Sequence, residues 1–114
     1  MFDRVLLLTA GCALCVALAS CIPSSRYRQK LLEATPVGTT FEQVVRYCNT
    51  SKLACKSSHT AGYFNQETQR TIGVESIWAV VSDNAFKSSV EAYWGFGPDH
   101  RLVDVWTKRT TDAP

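Results

Sequence analysis

The chain carries no large surplus of either charge: 12 Lys and Arg stand against 10 Asp and Glu, a formal net charge of +2. That balance excludes the concentrated basic face on which nucleic-acid binding rests. Histidine is scarce, with two in 114 residues. Cys48, Cys55, His59 and His100 match no zinc-ligand spacing, and Cys55 with His59 makes no convincing nucleophile and base. The carboxylates Glu67, Glu75, Glu91, Asp99 and Asp104 are scattered among basic residues, and no local argument pairs two of them for acid and base work. A glycine-rich phosphate loop is missing too, since Gly95 to Pro98 reads as a turn. There is no internal repeat, and no low-complexity tract beyond a polar stretch after Cys21. From these absences neither an enzyme, nor a metal, nor a cofactor is expected.

What the chain does have is a strongly patterned N-terminus. A short start with Arg4 precedes an apolar run from Val5 to Ala19, and the run closes on Leu18-Ala19-Ser20-Cys21. These are the parts of an export signal. The last four residues resemble a bacterial lipobox, an aliphatic and two small residues before an invariant cysteine. The resemblance implies removal of residues 1–20 and a covalent lipid on Cys21 as the first mature residue. Two alternatives stand beside it. Val5 to Ile22 approaches the roughly 18 to 20 apolar residues that span a bilayer as an uncleaved anchor. Thr9-Ala10-Gly11-Cys12 is a second cut site, but Thr9 takes the aliphatic position and only Val5 to Leu8 would remain apolar.

The cysteine count agrees with export. Cys12 and Cys15 leave with the signal and Cys21 takes the lipid, so Cys48 and Cys55 remain as a pair. An oxidising compartment favours their closure as a disulfide. A loop of about eight residues is worth about 2.5 kcal/mol in the chain-entropy account.

Residues 21–36 read as a tether, with Pro23, Ser24 and Ser25 against helix and one helical turn at Arg28 to Ala34. Arg26, Arg28 and Lys30 would lie near lipid head groups, each worth at most about 1 kcal/mol at an anionic surface. A flexible coil of this length reaches on the order of 20 Å. In the sorting rule of Gram-negative lipoproteins, Asp after the lipidated cysteine retains the protein at the inner membrane. Ile22 points instead to the outer membrane, facing the periplasm, with the inner membrane as the alternative.

The folded part spans residues 37–110, followed by a tail at 111–114. Thr39 and Glu42 have capping-box spacing, and Phe41, Val44, Val45 and Cys48 recur on one helical face. The chain is then polar to Arg70. Gly73 to Ser82 reads as a strand rich in β-branched and aromatic residues, with a buried helix as the alternative. Ser88 to Gly95 and Arg101 to Lys108 form a hairpin around Gly97-Pro98-Asp99-His100, where Pro98 suits the second position of a type I turn. The expected register sets Phe96 opposite Arg101 and Trp94 opposite Val103, which places Val90, Ala92, Trp94, Phe96, Val103 and Val105 on the core side. The other side carries Tyr93, Leu102 and Trp106. It is either second-layer core beneath the tether or an N-terminal helix, or a partner-binding patch with a charged rim.

The order of these elements resembles a family. The lipobox, the linker, the helix start Gly-Thr-Thr-Phe-Glu-Gln-Val-Val and the final Arg-Leu-Val-Asp-Val strand look like the SmpA/OmlA small outer-membrane lipoproteins, the BamE-like fold. The match covers Gly38 to Cys48 and Ser89 to Lys108. Where that family runs into a second helix through a glycine and a proline, this chain has Cys48 to Cys55. The resemblance implies an α+β domain of one or two helices on a three-stranded antiparallel sheet. It also implies action through protein contacts in the assembly of outer-membrane β-barrels. The expected function is therefore membrane-tethered and non-enzymatic, with a protein partner in the periplasm or outer membrane. The alternative is an inhibitor or immunity lipoprotein against a toxin or cell-wall hydrolase.

Overall fold

A computed structural model describes residues 23–83 and 88–111. Two helices, α1 (Ser24–Ala34) and α2 (Phe41–Thr50), precede six strands: β1 (Lys56–Ser58), β2 (Tyr63–Asn65), β3 (Arg70–Ile72), β4 (Glu75–Asp83), β5 (Ser88–Phe96) and β6 (Leu102–Thr111). The fold is α+β. Its main sheet is antiparallel in the order β1-β4-β5-β6, and β2 and β3 form a separate two-stranded sheet. The sheet thus gains a fourth, three-residue strand beyond the three read from the sequence, and residues 75–83 are strand and not helix.

Alternation builds the core. Ile77 and Ala79 on β4, Val90, Ala92, Trp94 and Phe96 on β5, and Leu102 and Val105 on β6 are buried. They meet Leu31 of α1 and Phe41, Val44 and Cys48 of α2, so both helices lie on one face of the sheet.

Residues 24–34 are not a tether. They form a helix fixed to the sheet, and only Cys21 and Ile22 of the expected linker lie outside the described residues. Pro23 stands before the first helical residue, where its missing N–H costs nothing, with φ −70° and ψ 155°. The helix is pinned along its length. Leu31 is buried, the Ser24 carbonyl accepts from the Thr107 hydroxyl at 2.7 Å, and the Tyr27 hydroxyl donates to Ser82 at 3.2 Å. Arg28 reaches over the sheet edge, donating from Nε to the Val105 carbonyl at 2.7 Å and from Nη2 to Asp104 at 2.8 Å. At the C-terminal end Trp94 Nε1 donates to the Thr35 hydroxyl at 3.1 Å, and that hydroxyl donates to the Leu31 carbonyl.

The capping box of α2 is one residue later than its spacing in sequence suggested. Thr40 accepts from the Gln43 N–H, and the Gln43 side chain accepts from the Thr40 N–H. Thr39 is spent on the preceding turn, its hydroxyl donating to the Pro36 carbonyl. At the far end Cys48 and Cys55 are joined in a disulfide, which ties the loop before β1 to the helix.

The β5–β6 hairpin also departs from its expected register. Trp94 pairs with Val105 and Gly95 with Asp104, but Phe96 pairs with Leu102, so β6 holds one extra residue at Val103. A bulge of this kind turns the side chains beyond it to the opposite face. Leu102 therefore enters the core, and Val103 is 48% exposed.

The face away from the helices is covered by the β2–β3 hairpin, built from the stretch that looked merely polar. Asn65 organises its turn, its side-chain oxygen accepting from the Glu67 and Thr68 N–H groups. Tyr63 packs on Tyr93 and Trp106, with ring centroids 5.8 and 6.2 Å away. Close approach requires Gly95, where a Cβ would lie 2.9 Å from both Ile72 and Tyr63. The proposed patch of Tyr93, Leu102 and Trp106 is thus corrected: Leu102 is core, Trp106 is buried beneath Tyr63, and Tyr93 is half-buried. Among the described residues neither the expected tether nor a helix covers this face.

Candidate functional site

The site lies where the start of α2 meets the β5–β6 turn. The Gly97 carbonyl accepts from the His100 N–H at 3.0 Å, closing the turn that Pro98 pre-sets. His100 then takes φ 62°, a left-handed conformation that histidine enters more readily than most side chains. Its carbonyl accepts from the Phe41 N–H at 2.9 Å, satisfying one of the free donors at the helix start. Nearby the Leu102 N–H donates to the Thr39 carbonyl at 2.7 Å, and Arg101 donates to the Gly38 carbonyl at 3.0 Å. The turn and the helix start are held as one unit.

Glu75 opens β4 at this end. It faces inward in the same alternation as Ile77 and Ala79 and is only 4% exposed. A buried carboxylate needs partners, and two imidazoles provide them. His59, from the loop after β1, places Nδ1 2.6 Å from Oε2, and His100 places Nδ1 2.5 Å from Oε1. A carboxylate only accepts, so each ring carries its proton on Nδ1 and leaves Nε2 as the second nitrogen. The hydrogen bonds from His59 and then His100 hold the Glu75 carboxyl below its ordinary value of 4.5, against the opposing pull of burial. His59 also packs on Phe41, with ring centroids 4.6 Å apart, and Phe41 packs on the core Phe96 at 4.9 Å.

These groups border a cleft of about 720 Å³, within the roughly 300–1,000 Å³ of small-molecule sites. Phe41 and Val45 give it an apolar wall, while Glu42, Arg46, Glu75 and the two imidazoles give it polar groups. Thr40 also borders it, but its hydroxyl oxygen serves the helix cap. The arrangement can hold or pass a proton at Nε2 and can donate hydrogen bonds.

No family model, curated protein or solved structure matches this chain.

Of the residues singled out in the sequence, the structure brings His59 and His100 together on Glu75 and leaves the others apart from them. Cys21 lies outside the described residues. Cys48 and Cys55 are bonded to each other, so the imagined four-ligand set with His59 and His100 does not assemble. Among the described residues no three of His, Cys, Asp and Glu are placed to hold a metal ion. The cleft itself was missed, and Glu75 carried its signal: a carboxylate in phase with Ile77 and Ala79 on a strand must find partners inside. His100 carried another, as the last residue of a turn that needs a left-handed conformation.

Proposed function

We propose that the protein is an exported lipoprotein, anchored through a lipid on Cys21 and acting by contact with a protein partner at the outer membrane. The observation that best supports this reading is the docking of α1. It begins at Ser24, three residues after Cys21, and is fixed to the sheet by Arg28, Leu31 and the Thr107 hydroxyl. A lipid at Cys21 would then have at most roughly 10 Å of extended chain before the folded body. The domain would sit against the membrane surface, not on a leash of about 20 Å. The Cys48–Cys55 bond suits an oxidising compartment, and Ile22 favours the outer membrane under the sorting rule.

Action through contacts, in support of envelope or outer-membrane assembly, follows the resemblance to the SmpA/OmlA group. The burial of Trp106 and Leu102 moves the partner surface elsewhere. Exposed Phe64 on β2 and Val103 at the bulge remain on the surface. Fractionation of cells expressing the wild type and Cys21→Ser tests the anchor. The wild type should sediment with outer membranes, and Cys21→Ser should lose that association. Retention of the serine variant in the same fraction would remove the anchor from the account.

A further inference from the structure

The cleft at the start of α2 is lined by two histidines, one arginine and two glutamates. With both imidazoles protonated, they and the Arg46 guanidinium outweigh the carboxylates of Glu42 and Glu75 and leave a net charge of +1; with both neutral the balance is −1. Histidine is the ordinary side chain whose charge changes between about pH 5 and 8. The donors are unspent. Both Nδ1 atoms are committed to Glu75, so the free nitrogen of each ring is Nε2, and the imidazole side chains are 67% and 71% exposed. Among the described residues Arg46 makes no ion pair or hydrogen bond. Beside these donors stand the apolar side chains of Phe41 and Val45.

We propose that this cleft binds a small organic anion, a carboxylate carried on an apolar body. The carboxylate is held by Arg46 and the Nε2–H groups of protonated His59 and His100, and the apolar body lies on Phe41 and Val45. Glu75 is the positioning residue: it fixes both rings by their Nδ1 atoms and balances part of their charge when they are protonated. Glu42 opposes the ligand, its carboxylate repelling the anion. The site is independent of the lipid on Cys21.

The test is an NMR titration of the full chain in zwitterionic micelles, with empty micelles as the blank. The chain has only two histidines, so His59→Gln and His100→Gln assign both imidazole signals. Three probes separate the contributions: benzoate, inorganic phosphate and neutral benzamide. Benzoate should shift both imidazole signals at pH 5.5 and bind at least tenfold more weakly at pH 8. Phosphate should bind more weakly than benzoate at pH 5.5, and benzamide should leave both signals in place. Arg46→Gln, on an exposed helix position that leaves the core intact, should weaken benzoate about tenfold, and Glu42→Gln should strengthen it. The proposal is overturned if benzamide matches benzoate, if phosphate exceeds it, if benzoate binds equally at both pH values, or if Arg46→Gln binds as the wild type does.

Discussion

Glu75 concentrates more consequence than any other single residue. Its carboxylate is buried and lowered in pKa by the two imidazole hydrogen bonds, so the folded state holds its proton less readily than the unfolded chain. The resulting stability is fully present above about pH 4.5 and fades as pH falls through the lower folded value. Glu75→Gln should lower stability at pH 7 by about 1.5 kcal/mol and flatten the loss of stability below about pH 4.5. Melting curves from pH 7 down through the acid limb check both. A second residue predicts a gain. The Tyr63 hydroxyl is buried without a hydrogen-bond partner among the described residues, and burial, with Asp104 adding to it, pushes its phenol pKa upward. Tyr63→Phe removes a desolvated hydroxyl, keeps the ring stack on Trp106, and should raise stability by about 1 kcal/mol in urea unfolding. Tyr93, by contrast, has its phenol pushed up to about 12 by burial and by its bond to Glu91, and keeps that partner at 2.7 Å.

Two elements complete the cover of the main sheet, α1 beside α2 on one face and the β2–β3 hairpin on the other. Leu31 is the buried side chain of α1, and Leu31→Ala should cost about 2–4 kcal/mol, where a solvated linker would register almost nothing. Chemical denaturation of the variant measures the difference. Gly95→Val would drive a side chain into Ile72 and Tyr63 and should lift the hairpin, seen as faster amide exchange across residues 63–72 with β4 and β6 unchanged. Both elements were hard to read from sequence for physical reasons. Tyr27 and Leu31 are too few apolar positions to mark a helix face, and Pro23-Ser24-Ser25 looks like a break when Pro23 in fact stands just ahead of the first turn. Strands of three residues, as in β1, β2 and β3, are too short to show a period of two. By contrast Val90, Ala92, Trp94 and Phe96 alternate over seven residues, and β5 was legible. The one-residue bulge at Val103 left no mark in composition, yet it exchanged Leu102 for Val103 in the core. The cleft was opaque because His59, Glu75 and His100 come from three segments that only the fold brings together.

As a whole, the described domain is small and is stapled at the C-terminal end of α2. The disulfide closes the loop between α2 and β1, and replacing both cysteines by alanine should cost about 2.5 kcal/mol, read from the shift in the denaturation midpoint. Among the described residues no helix is long and apolar enough to cross a membrane. The proposed picture is an α+β body held at a membrane by a lipid on Cys21, just ahead of its first helix, with its cleft at the junction of α2 and the β5–β6 turn. In that picture Cys21 is the first residue of the mature protein and carries the anchor. Intact-mass spectrometry of the protein purified from membranes tests it most directly. The predicted result is a chain that begins at Cys21 and bears acyl mass on that residue. A chain that retains residues 1–20, or that begins elsewhere with Cys21 unmodified, would contradict it.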